Sequence, residues 1–174
     1  MAAIFCDLGA ALIDADQIVH EMLAPGGMCV TAIGKHFGAG VLENGGVNRR
    51  ALAKIVFYDQ DLLKELEAII HPEVKRIVQD RIRAIRDTQP ERVIVLDVPL
   101  LYEAKMEHMV DMSIVVHCKQ DQQILRAIEA LQITKQDALL RIQSQMPLVE
   151  KIKLADVVID NTGKKMELIN EVKG

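Results

Sequence analysis

Three short runs of branched aliphatic residues constrain the fold of this chain most. They lie within residues 92–97, 113–117 and 156–160, and a shorter apolar run covers residues 10–13. Continuous apolar runs of this length are typical of strands that are buried on both faces of a parallel sheet. Because helical stretches separate the runs, the sequence predicts an α/β fold with a parallel sheet.

The spacing of apolar residues predicts the helices. Asn48 is predicted to cap one of them, and Thr134 another through a motif, Thr134-x-x-Asp137, that resembles a capping box. The predicted helices cover residues 1–8, 15–23, 28–37, 49–57, 61–70, 72–88, 121–131, 135–143, 147–154 and 164–172. Pro72 is predicted to begin its own helix, since proline at a first turn loses no needed donor. Residues 24–88 contain predicted helices and no predicted strand. They are therefore interpreted as a helical insertion into a core formed by residues 1–23 and 89–174.

Composition excludes several classes of protein. The 174 residues are 50% hydrophobic and 26% charged, which is ordinary for a soluble globular chain. A net charge of −4, the absence of Trp and few aromatic residues argue against a nucleic-acid partner. The three cysteines form no C-x-x-C motif, so neither a disulfide framework nor a zinc knuckle is predicted. No membrane segment or signal peptide is predicted, and a cytoplasmic location is expected.

Acidic residues follow two of the predicted strands. Asp14 and Asp16 follow the first run, and Asp97 ends the next one. Ligands of parallel sheets bind beyond the carboxyl ends of the strands, where carboxylates could hold Mg²⁺ or accept a proton from a hydroxyl. Capping of the following helix is the alternative interpretation for each Asp. Acids at two strand ends favour an active site.

Three basic residues outside this group have two interpretations each. His71, before Pro72, is either a ligand contact or a helix cap. Arg126 and Arg141 lie on successive predicted helices, where the pair could bind phosphate. Either arginine alone is equally typical of a solvated helix face.

Five motifs in order resemble the dephospho-CoA kinases, the P-loop kinases that phosphorylate the 3′-hydroxyl of dephospho-CoA with ATP. They are DAD at 14–16, HP at 71–72, DVPLLYE at 97–103, RIQSQMPL at 141–148 and ADVVIDNTG at 155–163. The resemblance extends over residues 2–172. It implies a three-layer P-loop-kinase-like fold with a helical substrate-binding insertion, and a lid at about residues 119–146.

The resemblance also implies roles for individual residues. Asp16 matches the acid that accepts the hydroxyl proton, and Arg126 matches a catalytic lid arginine. Mg²⁺ is expected near Asp16 and Asp97. The residues expected to contact dephospho-CoA are Asp14, His71, Asp97 and Leu100. The residues expected at the ATP side and the lid are Arg141, Gln145, Asn161 and Gly163.

The sequence departs from the family pattern in two places. It contains no G-x-x-x-x-G-K-[ST] loop, the element that holds the phosphates in P-loop kinases. In the family, the central first strand and this loop precede the segment that matches DLG at 7–9. The sheet of this chain is therefore expected to lack that strand. Self-association through the resulting gap in the sheet is one expected consequence. In the lid, Ala130 and Leu131 stand where the family carries a second arginine and a polar residue.

These departures leave three hypotheses open. The first is a dephospho-CoA kinase whose activity in this chain is impaired without the loop. The second is a non-catalytic protein that binds coenzyme A precursors. The third is another nucleoside-type kinase on the same scaffold.

Overall fold

A computed structural model describes residues 2–163 of the chain. The chain divides into two compact units, Met1–Pro99 and Leu100–Gly174, which are described separately here. Each unit contains one pair of parallel strands with helices around it, so the predicted α/β class is confirmed. Within the described residues, no helix is both long enough and apolar enough to cross a bilayer.

The first unit consists of five helices and four strands among its described residues. In chain order they are α1 (Ala2–Asp7), β1 (Ala11–Asp14), α2 (Ala15–Leu23), α3 (Val30–Phe37), β2 (Leu42–Glu43), β3 (Gly46–Val47), α4 (Arg49–Val56), α5 (Gln60–Thr88) and β4 (Ile94–Asp97). Strands β1 and β4 pair in parallel from Ala11↔Ile94 to Asp14↔Asp97. Their core is aliphatic and includes the fully buried side chains of Ile13, Ile18 and Val78.

Two helix starts in this unit follow their predicted caps. The Asp14 carboxylate accepts a hydrogen bond from the backbone N–H of Gln17 at 2.9 Å and so begins α2 directly at the end of β1. The Asn48 side chain accepts one from the N–H of Ala51 at 2.9 Å and begins α4. Each cap satisfies an N–H group that would otherwise lack a partner at the helix terminus.

The prediction of a helix boundary at Pro72 is wrong. Helix α5 is continuous from Gln60 to Thr88 with Pro72 inside it. Proline removes one helical hydrogen bond and crowds the preceding turn. Ile70, Val74 and Val78 form one buried stripe across this point, and their packing holds the helix together on both sides of Pro72.

The prediction that residues 24–88 contain no strand is also wrong. Strands β2 and β3 form a short antiparallel hairpin, with Leu42 opposite Val47 and Glu43 opposite Gly46. Asn44 and Gly45 connect them with φ angles of 50° and 79°. Positive φ at both central residues is the conformation of a type I′ turn, for which Asn-Gly is the preferred sequence.

The second unit contains two strands and three helices among its described residues. They are β5 (Ile114–His117), α6 (Gln120–Leu131), α7 (Lys135–Gln143), α8 (Leu148–Leu154) and β6 (Val157–Asp160). Strands β5 and β6 pair in parallel from Ile114↔Val157 to His117↔Asp160. The Thr134 hydroxyl caps α7 by accepting from the N–H of Asp137, as its motif predicts. The helix predicted over 164–172 lies outside the described residues.

The parallel strands are less buried than the sequence predicts. Ile114 of β5 is 39% exposed and Val158 of β6 is 37% exposed. Within the described residues each parallel pair is a two-stranded sheet, so every strand of the two pairs has one edge without a partner strand. Side chains next to such an edge lack a neighbouring strand to cover them.

Candidate active site

The predicted acids of the first unit lie together at the carboxyl end of the β1–β4 pair. Asp14 and Asp97 form the last register pair of the two strands, and Asp16 lies in the first turn of α2. The geometry follows from the parallel ladder, which brings the ends of both strands to the same edge. The structure therefore brings Asp97 to Asp14 and Asp16, from which the whole helical insertion separates it in sequence.

Partial burial and the neighbouring carboxylates raise the pKa of Asp16 and of Asp97. Partial burial raises the pKa of Asp16, and the negative charges of Asp14 and Asp97 raise it further, while Arg49 acts in the opposite direction. Partial burial together with the charge of Asp14 also raises the pKa of Asp97. A carboxylate with a raised pKa is a stronger base than an ordinary one, which suits a group that accepts a proton from a hydroxyl.

Contacts from two other elements fix the position of α2 and β1. The Arg81 guanidinium of α5 donates to the carboxylate of Glu21 on α2 at 2.6 Å. The Arg92 guanidinium donates to the carbonyls of Gly9 at 2.9 Å and Ala10 at 3.2 Å, just before β1. The first turn of α2, which carries Asp16, is thus held from both sides.

An arginine of the insertion also reaches α2. Nη1 of Arg49, the first residue of α4, lies 3.1 Å from Nδ1 of His20, one helical turn beyond Asp16. The contact places a positive charge close enough to Asp16 to affect the pKa of its carboxyl. The motifs did not single out Arg49 or His20.

The acids do not form a complete metal site by themselves. Within residues 2–163, no three His, Cys, Asp or Glu side chains are arranged to hold a metal ion. Mg²⁺ at phosphate-transfer sites usually takes one or two carboxylates and completes its shell with water and substrate phosphates. Asp16 and Asp97 fit that partial role.

The remaining substrate residues predicted from the sequence lie apart along the chain. His71 is half-buried inside α5, directly before Pro72. Leu100 is half-buried and begins the second unit, where its carbonyl accepts from the N–H of Ala104.

In the second unit, the structure brings two of the predicted nucleotide-side residues together. The Arg126 guanidinium of α6 donates to the carbonyl of Asn161 at 3.1 Å. Gln122, one turn earlier, donates to the carbonyl of Thr162 at 3.2 Å. Helix α6 is thereby attached to the loop after β6, at the carboxyl ends of β5 and β6, the edge at which ligands of parallel sheets bind.

The other residues predicted on the nucleotide side are Arg141, Gln145 and Gly163. Arg141 lies in the last turn of α7 and is half-buried. Gln145 follows that helix and is exposed, as is Gly163 at the end of the described chain. Helices α6 and α7, which lie within the predicted lid at 119–146, pack against each other.

Two polar clusters in the second unit were not predicted. The carboxylate of Glu103 accepts from Lys151 Nζ and from the N–H of Met146, each at 2.8 Å. At the amino ends of β5 and β6, the Asp156 carboxylate accepts from the N–H of Ser113 at 2.8 Å and from its hydroxyl at 2.7 Å. Both pairs join residues far apart in sequence, and although Glu103 and Asp156 lie in two of the motifs, neither motif indicates its partner.

Comparisons with known proteins agree with these features. The family profile described as dephospho-CoA kinase matches residues 1–167. The dephospho-CoA kinase of Carboxydothermus hydrogenoformans is 42% identical over 164 residues, covering 94% of this chain and 79% of that protein. That of Bacillus licheniformis is 42% identical over 165 residues, covering 94% of this chain and 81% of that protein.

Solved structures show the same likeness in three dimensions. The crystal structure of TT1252 from Thermus thermophilus matches with a TM-score of 0.79 and 28% identity, covering 99% of this chain and 85% of that one. The dephospho-CoA kinase from Campylobacter jejuni matches with a TM-score of 0.69 and 25% identity, covering 99% of this chain and 86% of that one. The profile, the relatives and the fold together show that this chain belongs to the dephospho-CoA kinase family.

Proposed function

We propose that Asp14, Asp16 and Asp97 form the site at which the 3′-hydroxyl of dephospho-CoA is phosphorylated. The function of the family is dephospho-CoA kinase, a transferase that uses ATP. The observation that supports this site is the convergence of three carboxylates at the carboxyl end of the β1–β4 pair, two of them with raised pKa values.

In the proposed reaction, Asp16 accepts the proton of the 3′-hydroxyl as that oxygen attacks the γ-phosphorus of ATP. A new oxygen–phosphorus bond forms on the substrate. The bond between the γ-phosphorus and the bridging oxygen breaks, and ADP leaves with the bonding electron pair. Asp14 is already engaged by the N–H of Gln17, so we assign it to orienting the first turn of α2 and the substrate beside it.

We assign roles to the remaining residues by the family pattern. His71 and Leu100 are proposed on the dephospho-CoA side, with residues 24–88 as the substrate-binding insertion. The lid is proposed at about 119–146. The residues proposed on the ATP side are Arg126, Arg141, Gln145, Asn161 and Gly163. The contact of Arg126 with Asn161 supports this assignment, because it brings an arginine to the strand ends of the second unit.

Mg²⁺ is proposed to bind with ATP near Asp16 and Asp97. The ion would neutralise phosphate charge when bound. The cytoplasmic location also remains a prediction.

The three-layer fold with its central first strand missing remains a prediction as well. Its support is that β4 and β5 each have one strand partner among the described residues and that their apolar faces are partly exposed. A further parallel strand would satisfy the open backbone groups of such an edge. Self-association through the same edges is the alternative way to cover them.

The test is ADP release with ATP, Mg²⁺ and dephospho-CoA. It compares the given chain with one extended at its amino end by a family strand and P-loop. Turnover by the extended chain, and little by the given one, is expected. In the extended chain, Asp16→Asn is expected to lower kcat about 10²- to 10⁴-fold, because a positioned general base contributes that much. The exposed Asp111→Asn serves as the matched control with unchanged kcat.

Other outcomes would contradict this assignment. Binding of dephospho-CoA without turnover by either chain would indicate a non-catalytic binding protein. Faster phosphorylation of nucleoside monophosphates than of dephospho-CoA would indicate another nucleoside-type kinase.

A further inference from the structure

We propose that Arg49 positions the acceptor substrate by binding its diphosphate while the 3′-hydroxyl lies against Asp16. The inference rests on the proposed function and assigns a residue that the family motifs discussed above do not include. Dephospho-CoA carries a diphosphate on the 5′ side of the ribose whose 3′-hydroxyl is phosphorylated. A cation that lies near Asp16, but does not form an ion pair with it, is suited to bind this diphosphate.

The guanidinium of Arg49 is oriented by a side chain that carries no carboxylate. It lies 3.1 Å from Nδ1 of His20. A guanidinium has only donors, so Nδ1 is the acceptor in this contact. One of the five N–H donors of Arg49 thus forms the hydrogen bond that orients the guanidinium. No carboxylate neutralises its positive charge in this contact.

Among the described residues of its unit, Arg49 shares with Arg50, Arg86 and Arg92 the lack of an ion pair, in contrast to three other arginines. Arg76, Arg81 and Arg83 each form an ion pair with a carboxylate. Among the described residues, Arg49 forms none, although its charge lowers the pKa of Asp16. The two side chains are therefore neighbours that stay beyond ion-pair distance, which leaves the carboxylate free as a base and the guanidinium free for an anion.

The position of Arg49 at the start of α4 lowers the stability of that helix. Positive charge in the first turn of a helix opposes the helix dipole, yet α4 begins with Arg49 and Arg50 and has no acid in that turn. Asn48 fixes the turn by capping Ala51 and by donating to Glu43 of the hairpin at 3.0 Å. Guanidinium groups bind phosphate oxygens in pairs through their planar fork, so an oriented Arg49 suits a diphosphate.

The test measures dephospho-CoA binding to the full chain by calorimetry, together with the ³¹P NMR signals of the bound diphosphate. Arg49→Gln is expected to weaken binding about tenfold or more, since hydrogen bonds to charged groups of this kind are lost. In the Arg49→Gln variant, the ³¹P chemical shifts of the bound diphosphate should also move towards those of free dephospho-CoA. Arg49→Lys is expected to be intermediate, because lysine keeps the charge without the fork.

Arg50→Gln is the matched control, since Arg50 is the next residue of the same turn and is exposed. It should change the affinity by less than about threefold. Equal losses in Arg49→Gln and Arg50→Gln would overturn the proposal in favour of a general charge effect, as would an unchanged affinity in Arg49→Gln. His20→Ala should give a smaller loss than Arg49→Gln, and a larger one would contradict the orienting role. If the unaltered chain does not bind dephospho-CoA, the proposed function itself fails, and Arg49 loses its role with it.

Discussion

Asp14 and Asp97 are opposite each other as the last pair of the parallel β1–β4 ladder. Two carboxylates at one register position repel each other, and the raised pKa of Asp97 reflects partial burial and the charge of Asp14. Natural proteins keep such unfavourable arrangements where function requires them, and stability is lost in exchange. The relationship therefore predicts a measurable effect of pH on stability.

Asp97→Asn is expected to stabilise the protein at pH 7. The folded-state pKa of Asp97 is raised, so folding favours its protonated form, and that contribution is present at low pH and lost as pH rises through the folded pKa. Asparagine has the same shape and never ionises. We expect a rise in Tm of about 1–3 °C at pH 7, since 1 kcal/mol corresponds to about 2–4 °C in a chain of this size.

The gain should disappear below about pH 4, the ordinary carboxyl pKa, where Asp97 is protonated in both states. Thermal melts of the variant and the unaltered chain at about five pH values between roughly 3.5 and 8 test whether the Tm difference changes with pH in this direction. Asp111→Asn, at an exposed acid of the second unit, should show no comparable trend. A gain that persists unchanged at low pH would refute the electrostatic explanation.

The ion pair of Glu103 and Lys151 predicts a strong coupling in the second unit. Their side chains are only 17% and 11% exposed, and the same carboxylate oxygen also accepts from the N–H of Met146. Among residues 2–163, the other oxygen of Glu103 is buried and has no hydrogen-bond partner. Removing the cation leaves this carboxylate buried and uncompensated, so Lys151→Met is expected to cost about 2–3 kcal/mol of unfolding free energy.

The double variant Glu103→Leu with Lys151→Met should be more stable than Lys151→Met alone, because it removes the unpaired charge. Urea unfolding of both single variants and the double variant provides the cycle. Lys153→Met is the control, since the Lys153–Glu150 pair is exposed and should contribute little. Additive effects in the cycle would show that the two side chains do not stabilise each other.

Strand positions and several helix starts could be predicted from the sequence because their signals are local. The aliphatic runs place β1, β4, β5 and β6 to within about two residues, which is the usual disagreement of such boundaries. Asn48 and Thr134 cap the helices they were expected to cap. Asp14 is both a cap and a member of the acidic cluster, so the two interpretations of that residue describe one arrangement.

Other features depend on contacts that no local signal shows. The Arg49–His20 contact joins residues 29 positions apart, and neither residue lies in one of the five motifs. The continuity of α5 through Pro72 depends on a buried stripe that forms only after packing. The hairpin at residues 42–47 did have a local signal, Asn44-Gly45, but its strands are too short for a recognisable apolar pattern.

The position of Pro72 leads to a prediction about helix α5. Pro72→Ala restores a backbone N–H inside the helix and removes the clash with the preceding turn, so it should raise the unfolding free energy by about 1–2 kcal/mol, less than the roughly 3 kcal/mol of an unadapted site. Urea unfolding measures the change, with Gln79→Ala on the exposed side of α5 as the control. A loss of stability would mean that the surrounding residues pack against a helix shape that proline imposes.

The last prediction concerns the amino ends of β5 and β6, where Asp156 accepts from the N–H and the hydroxyl of Ser113. These hydrogen bonds, the backbone one first, lower the pKa of Asp156. A lowered folded-state pKa contributes stability above the ordinary carboxyl pKa, and this contribution is lost as pH falls through the folded value. Ser113→Ala is therefore expected to lower Tm by about 2–4 °C at pH 7, with a smaller difference near pH 3.

Tyr102→Phe is the control, because it removes only the 3.2 Å hydrogen bond to the Ser113 hydroxyl and should show no such pH dependence. A Ser113→Ala effect that is equal at both pH values would show that packing of the buried serine, and not its hydrogen bond to a carboxylate, stabilises these strand ends.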